Sequence, residues 1–215
     1  MYIYYPSCNF QKLLPQTAKR IRDYMTAQED VRIAGCCHKT REIPREGDVI
    51  VTICMSCMRG LAETRPDIPG MNLFAFLCSR PDFPWPDLTG EEITIQDCFR
   101  ARGMHQLQDA VRECLVRSNA KPVEMPGNRD EETFDGVFLL RGPSRQISEE
   151  APHYFKEYLP PYLTLRPEEE WEGVFREQAA KYTTKRTVCY CNTCYSAVRK
   201  GGASVYHLAQ LLFPD

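Results

Sequence analysis

Two stretches, "DVIVTICMSCMRG" (Asp48–Gly60) and "RTVCYCNTCYSAV" (Arg186–Val198), share one arrangement: an apolar run that ends in Cys-x-x-Cys and passes straight into helix-forming residues. A short run rich in Val, Ile and Thr reads as a buried strand of a parallel sheet. A strand that turns directly into a helix puts the intervening side chains at the carboxyl edge of that sheet, where open α/β folds bind ligands. The second thiol of each pair then falls in the first helical turn. There the unpaired N–H groups and the positive end of the helix dipole favour the thiolate, the form of cysteine that binds metal.

The rest of the chain fits the same reading. "YIYY" (Tyr2–Tyr5), "VRIAG" (Val31–Gly35), "DVIVTI" (Asp48–Ile53) and "NLFAFL" (Asn72–Leu77) are expected strands, with a helix over "FQKLLPQTAKRIRDYMTAQ" (Phe10–Gln28) despite Pro15. Strand, helix, strand implies a parallel sheet. "SRPDFPWPDLTGEE" (Ser79–Glu92) carries three prolines in a short polar stretch and reads as a connector, which places a boundary between residues 84 and 85. The second half repeats the order: a strand "EITIQD" from Glu92, a helix "HQLQDAVRECLVRS" from His105, then "KPVEM". A strand "TVCYC", a helix "NTCYSAVRK" and a terminal amphipathic helix over "SVYHLAQLLF" (Ser204–Phe213) follow. "PEEEWEGVFREQAAKY" has the spacing of a surface helix with Pro167 at its start, and "YLPPYLTLRP" reads as a loop.

Eleven cysteines are the outlying feature of a 215-residue chain that is 43% hydrophobic. A disulfide framework is disfavoured, because the number is odd and "MYIYYPSCNF" lacks the charged and apolar regions of a secretory signal. A cytoplasmic setting is expected instead. A net charge of -2 and the lack of a long basic tract argue against nucleic acid, and no apolar stretch is long enough to span a bilayer. Cys78 and Cys114 lie on apolar faces and are assigned to the core.

The other nine cysteines cluster in sequence. Cys8 ends the first strand region, Cys36 and Cys37 are adjacent, and Cys54 and Cys57 form the first Cys-x-x-Cys. Neighbouring residues of a regular strand point to opposite faces, so Cys36 and Cys37 can share a site only if the backbone turns there. Two adjacent sulfurs also chelate one small tetrahedral ion poorly and reach different metals of a cluster more easily. Tetrahedral zinc takes four ligands and leaves one of the five thiolates over, whereas a multi-iron cluster uses all five. In the second half, Cys98, Cys191 and Cys194 form the corresponding set, with Cys189 or Asp135 as a candidate fourth ligand and His207 a further one.

The pattern formed by "YYPSC", "AGCC", "GDVIVTICMSC", "ITIQDCFRARG", "DAVRECL", "VEMPGN", "FDG" and "VCYCNTC" resembles the cysteine-rich CCG domain found in heterodisulfide reductases and in the iron-sulfur subunits of glycolate oxidase and related enzymes. The resemblance covers nearly the whole chain. It implies two tandem Rossmann-like α/β domains with parallel sheets, residues 1–84 and 85–215, related by pseudo-symmetry. It also implies an iron-sulfur cluster, [4Fe-4S] in type, on Cys8, Cys36, Cys37, Cys54 and Cys57. The sequence departs from the motif in three places: His38 stands where the family has glycine, the interval from Cys37 to Cys54 is short, and Phe134 and Asp135 replace the second Cys-Cys pair before Gly136. The second site, with three motif cysteines, is left open between zinc, a simpler cluster and an empty remnant.

The function implied is that of a redox component of a larger oxidoreductase, acting in disulfide or 2-hydroxy-acid chemistry. It would relay electrons from a flavoprotein or ferredoxin-like partner or reduce a small disulfide. The alternative is a non-enzymatic interaction module held together by zinc or a cluster. A third reading makes Cys54 and Cys57 a metal-free redox dithiol. His38 is expected beside the first site, hydrogen-bonded to sulfur or moving protons, whereas His105, His153 and His207 are expected in surface or core roles. Arg100 and Arg102 are candidates to offset thiolate charge, and "HKTREIPR" is expected to be a solvated face. The sequence has no Gly-rich phosphate loop, Ser-His-Asp signature or paired carboxylates to support a hydrolase.

Overall fold

The structure is a computed structural model that describes residues 1–40 and 43–214, so Arg41 and Glu42 of the basic run lie outside the described residues. The strands among the described residues are β1 (Tyr2–Tyr5), β2 (Val31–Ile33), β3 (Val49–Thr52), β4 (Gly70–Asn72), β5 (Glu92–Gln96), β6 (Lys121–Val123), β7 (Arg186–Cys189) and β8 (Val205–His207). They form two four-stranded sheets of identical topology, β2-β1-β3-β4 and β6-β5-β7-β8, in which every pairing is parallel. The architecture is therefore α/β with two Rossmann-like units, as the strand and helix patterns predict.

The central strands owe their place to composition. Ile3, Tyr4 and Tyr5 of β1, Val51 of β3, Ile93 and Ile95 of β5 and Val188 of β7 are all buried, the mark of strands covered on both faces. In each sheet the chain leaves the first strand to one side and returns to its other side, so the switch point lies between β1 and β3 and again between β5 and β7. The register pairs Tyr5 with Thr52 and Gln96 with Cys189, which brings the carboxyl ends of these strands level.

The helices are α1 (Cys8–Leu13), α2 (Pro15–Thr26), α3 (Met55–Thr64), α4 (Leu73–Cys78), α5 (His105–Arg117), α6 (Val137–Arg141), α7 (Arg145–Glu150), α8 (Glu168–Ala179), α9 (Asn192–Lys200) and α10 (Leu208–Leu212). Three elements differ from the expectation. The helix expected over Phe10–Gln28 is broken at Leu14, whose φ of -136° is the extended conformation that a following proline imposes. "NLFAFL" is a helix instead of a strand, because Asn72 ends β4 and its Oδ1 accepts from the Phe74 backbone at 3.1 Å, starting α4. The terminal segment divides into β8 and α10 at His207, which caps α10 in a reciprocal pair with Gln210.

The chain divides into two units, Met1–Phe76 with Ser144–Pro161, and Leu77–Pro143 with Tyr162–Pro214. The sequence suggests a simple division at residue 84. In the structure, the proline-rich connector is knitted into the second unit, with the Phe83 ring edge-on to Phe213 at 5.4 Å and the Leu88 amide donating to Ser118. The excursion Ser144–Pro161 belongs to the first unit. The Glu63 carboxylate accepts from the backbone amides of His153 and Tyr154, and Ile147 packs over Gly60. Among the described residues, no helix is long and apolar enough to cross a membrane.

Gly201 marks the closest approach of α9 to α8. A Cβ there would sit 2.3 Å from the Phe175 carbonyl oxygen, a backbone atom that cannot swing aside. Gly201→Ala is expected to destabilise the protein by about 2–3 kcal/mol and to lower the melting temperature by about 5–10 °C. Thermal denaturation followed by circular dichroism checks this.

Candidate metal centres

Both Cys-x-x-Cys segments have the same local geometry. Cys54 and Cys191 are the N-caps of α3 and α9, with φ, ψ of -104°, 128° and -112°, 130°, and Cys57 and Cys194 sit three residues later in the first turn. Cys8 opens α1 after β1, and Cys98 precedes a 3-10 turn (Phe99–Ala101) after β5. Thus Cys8, Cys54 and Cys57 in the first unit and Cys98, Cys191 and Cys194 in the second follow the two central strands, at the switch point of each sheet, whereas Cys36 and Cys37 follow the edge strand β2.

In the first unit the chain turns after β2, where the Cys36 carbonyl accepts from the amides of Lys39 and Thr40. That turn brings the neighbouring pair to one side: ligand atoms of Cys36, Cys37 and His38 lie within 4.8 Å of one another. Cys37 Sγ is 3.2 Å from Cys57 Sγ. The Cys57 thiol is held well above its ordinary pKa by hydrogen bonds with Cys37 and Cys54 and by burial. Burial also raises Cys8, and the charges of Cys36, Cys37 and Cys54 raise it further. Cys37 and Cys57 are buried, Cys36 and Cys54 half-buried and Cys8 exposed, which leaves one side of the group open. His38 Nδ1 lies 2.5 Å from Glu150 Oε2, a partner from α7 that no sequence signal marks.

The second centre is smaller and closed. Ligand atoms of Cys98, Asp135, Cys191 and Cys194 all lie within 4.8 Å of one another, and all four residues are buried. Asp135 Oδ1 is 3.2, 3.7 and 3.9 Å from the sulfurs of Cys98, Cys191 and Cys194. Bond lengths typical of zinc place tetrahedral S and O ligands about 3.6–3.8 Å apart, so this donor set fits one tetrahedral ion. Of the candidate fourth ligands, Asp135 joins the three motif cysteines. Cys189 stays inside β7, paired in register with Gln96 and His207, and is not among the four.

Arg100 compensates the negative charge. Its Nε and Nη2 donate to the two Asp135 oxygens at 2.6 and 2.9 Å, and Nη2 also donates to Cys191 Sγ at 3.3 Å and Thr193 Oγ1 at 2.7 Å. The side chains of Arg100 and Asp135 are 3% and 0% exposed, so this is an ion pair shielded from water. Burial pushes the Asp135 carboxyl up to about 7 against the pull of Arg100. Burial likewise opposes ionisation of Cys191. Hydrogen bonds from Cys194 and Cys98, with Arg100 and Thr193, outweigh it and bring this thiol well below its usual pKa. Burial raises Cys98 and Cys194 well above the usual thiol pKa. Cys191 is thus the thiol whose ionised form is favoured most, and metal uptake, which needs thiolates, would be linked to proton release.

Neighbouring buried groups fix Cys98. Asp97 pairs with Arg112 at 2.6 Å and accepts from Tyr190 Oη at 2.8 Å, and the same hydroxyl accepts from the Cys98 amide at 3.3 Å. Arg102 does not join Arg100. It donates to the carbonyls of Glu131 and Glu132 and lies over the Phe99 ring. His105 and His153 are exposed and pair with Asp130 and Glu157. His207 is buried at the end of β8 and uses Nδ1 to cap α10.

These features define an α/β protein of two parallel-sheet units, each with a thiol-rich group at its switch point that can bind metal. No protein-family model and no curated protein matches the chain. Among solved structures, glutamate racemase isoform RacE1 from Bacillus anthracis aligns over 98% of this chain and 77% of its own, at 9% identity and a TM-score of 0.37. Picrophilus torridus aspartate racemase aligns over 99% and 90%, at 11% identity and a TM-score of 0.32. The fold class stated here rests on strand order and register.

Arg100→Met alone, or Asp135→Leu alone, strands a buried charge and is expected to cost about 3–5 kcal/mol in urea denaturation of the metal-free protein. The double variant is expected to cost clearly less than the sum of the two. A second prediction concerns acid. Burial pushes His207 from its ordinary 6.5 down to about 4. The unfolded chain takes up this proton near pH 6.5 and the folded chain only near pH 4, so stability falls as pH drops through that window, by about 3 kcal/mol in total. In the metal-free protein, His207→Asn keeps a capping side chain and should remove this part of the acid sensitivity, read from unfolding free energies at pH 7 and pH 4.5.

Proposed function

We propose that the chain is a CCG-domain-like iron-sulfur protein, similar to the cysteine-rich component of heterodisulfide reductases, whose first unit holds a [4Fe-4S]-type cluster on Cys8, Cys36, Cys37, Cys54 and Cys57. The observation that carries this reading is the convergence of five thiols from three strand ends, with the adjacent pair turned to one side and Cys57 within 3.2 Å of Cys37. Five thiolates exceed what one tetrahedral ion takes. A cluster held there supplies one-electron chemistry, with a potential set by its ligands, nearby hydrogen bonds and exposure.

The chain's own residues do the rest. Cys8, Cys36 and Cys54 form the open side, where a small disulfide or the docking face of a flavoprotein or ferredoxin-like partner has access. Glu150 orients His38 beside Cys36 and Cys37, which places a proton carrier at that rim. The closed second centre suits a single structural ion such as zinc, which favours electron relay or a narrow thiol chemistry through the first unit. Eleven free cysteines suit a reducing compartment, and we assign the protein to the cytoplasm.

Anaerobically purified protein is expected to be brown and to contain iron and acid-labile sulfide. Cys37→Ser should lose most of both while keeping its far-ultraviolet circular dichroism. Colourless wild-type protein free of iron, or equal iron in wild type and variant, rules the assignment out.

A further inference from the structure

Cys78 and Cys114 take part in neither centre. Cys78 is the last residue of α4 and half-buried, and Cys114 is buried on α5. Each lies on an apolar face, and sequence alone assigns both to core packing. In the structure they face each other, with their sulfurs 3.7 Å apart. A disulfide needs a separation of about 2.05 Å, so the two sulfurs must approach further for a bond to form.

The surroundings distinguish the two sulfurs. The Arg117 guanidinium donates from Nη1 to the Cys78 carbonyl at 2.9 Å, which holds a positive charge next to this thiol. Glu113 keeps Arg117 in place through a 2.6 Å ion pair. The hydrogen bond from Cys114 favours the Cys78 thiolate most, burial opposes it, and Arg117 adds to the lowering. Burial and the neighbouring Cys78 hold Cys114 in its protonated form. One sulfur is thus reachable and activated, and the other is sheltered and poised behind it, the division of roles found in attacking and resolving cysteines.

We propose that Cys78 and Cys114 form a redox-active dithiol that exchanges with small-molecule disulfides of the glutathione class, separate from both thiol-rich centres. The Cys78 thiolate attacks one sulfur of the disulfide RSSR. A Cys78–SR bond forms, and RS⁻ leaves with the electron pair and takes up a proton. Cys114 then gives up its proton and attacks Cys78 Sγ. The Cys78–Cys114 bond forms as the second RS⁻ departs and is protonated. Two electrons pass from the protein thiols to the disulfide, which leaves as two RSH. The reverse sequence, driven by excess RSH, restores both protein thiols.

This inference does not depend on the metal content of either centre. The metal-loaded full chain is treated anaerobically with excess oxidised glutathione, alkylated and mapped by peptide mass spectrometry. The expected result is a Cys78–Cys114 linked peptide that excess reduced glutathione abolishes. Cys114→Ser is expected to stop at one glutathione on Cys78, and Cys78→Ser to give neither product at this pair. Iodoacetamide should modify Cys78 of the reduced protein at least about tenfold faster than Cys114. If Cys114→Ser does not fold, the wild-type time course decides, since the adduct on Cys78 must precede the linkage. Wild-type protein that keeps Cys78 unmodified, or that carries the adduct without ever forming the linkage, overturns the proposal.

Discussion

A parallel sheet sends the carboxyl ends of all its strands to one edge, and the gathering of thiols in the two candidate metal centres depends on that. In both units the order of strands places the switch point beside the first strand, and cysteines occupy the residues that follow the two central strands. The helices that begin there offer unpaired amides and the favourable end of a dipole to sulfur that carries negative charge. A sheet of the same strands in antiparallel order would scatter these thiols between opposite edges.

The two units then answer the same electrostatic problem differently. Gathering anionic sulfur away from water is unfavourable unless positive charge or hydrogen bonds meet it. In the second unit Arg100, fully buried beneath the Phe138 ring, lies across Asp135 and Cys191 and satisfies both. In the first unit five thiols gather with a more open side, Cys8 exposed and Cys36 and Cys54 half-buried. Protons, solvent on the open side and metal are each able to meet negative charge there. The exchange of a cysteine pair for Phe134 and Asp135 thus goes with a change from an open pocket of many sulfurs to a sealed one of three.

Much of this was legible in the sequence, because it depends on local patterns. Apolar runs of four or five residues followed by Cys-x-x-Cys fix strand, helix and edge together, so the α/β class and the placement of these thiols at strand ends follow from residues close in the chain. Asp135 could be reached as the counterpart of the missing cysteine pair. What stayed hidden depends on distant partners or on short ambiguous runs. "NLFAFL" reads equally as strand or helix until Asn72 is seen to cap it. Glu150 meets His38 across 112 positions, and Tyr190, Asp97 and Arg112 form their network with no motif to announce it. Cys78 and Cys114 lie 36 residues apart and each looks like an ordinary packing residue by itself.

The excursion Ser144–Pro161 has a consequence for how the protein is made. The first unit opens with β1, yet the helix that carries Ile147 and Glu150 onto it is encoded after most of the second unit's first strands and helices. During translation, the amino-terminal sheet must wait, with the surface around Gly60 and Glu63 uncovered, until the ribosome has released the chain well beyond residue 161. The first unit therefore cannot be completed from one contiguous stretch of chain. The first unit has all its segments once residue 161 has emerged, before β7 to α10 of the second are made, and neither unit corresponds to a contiguous length of gene that evolution could move elsewhere intact.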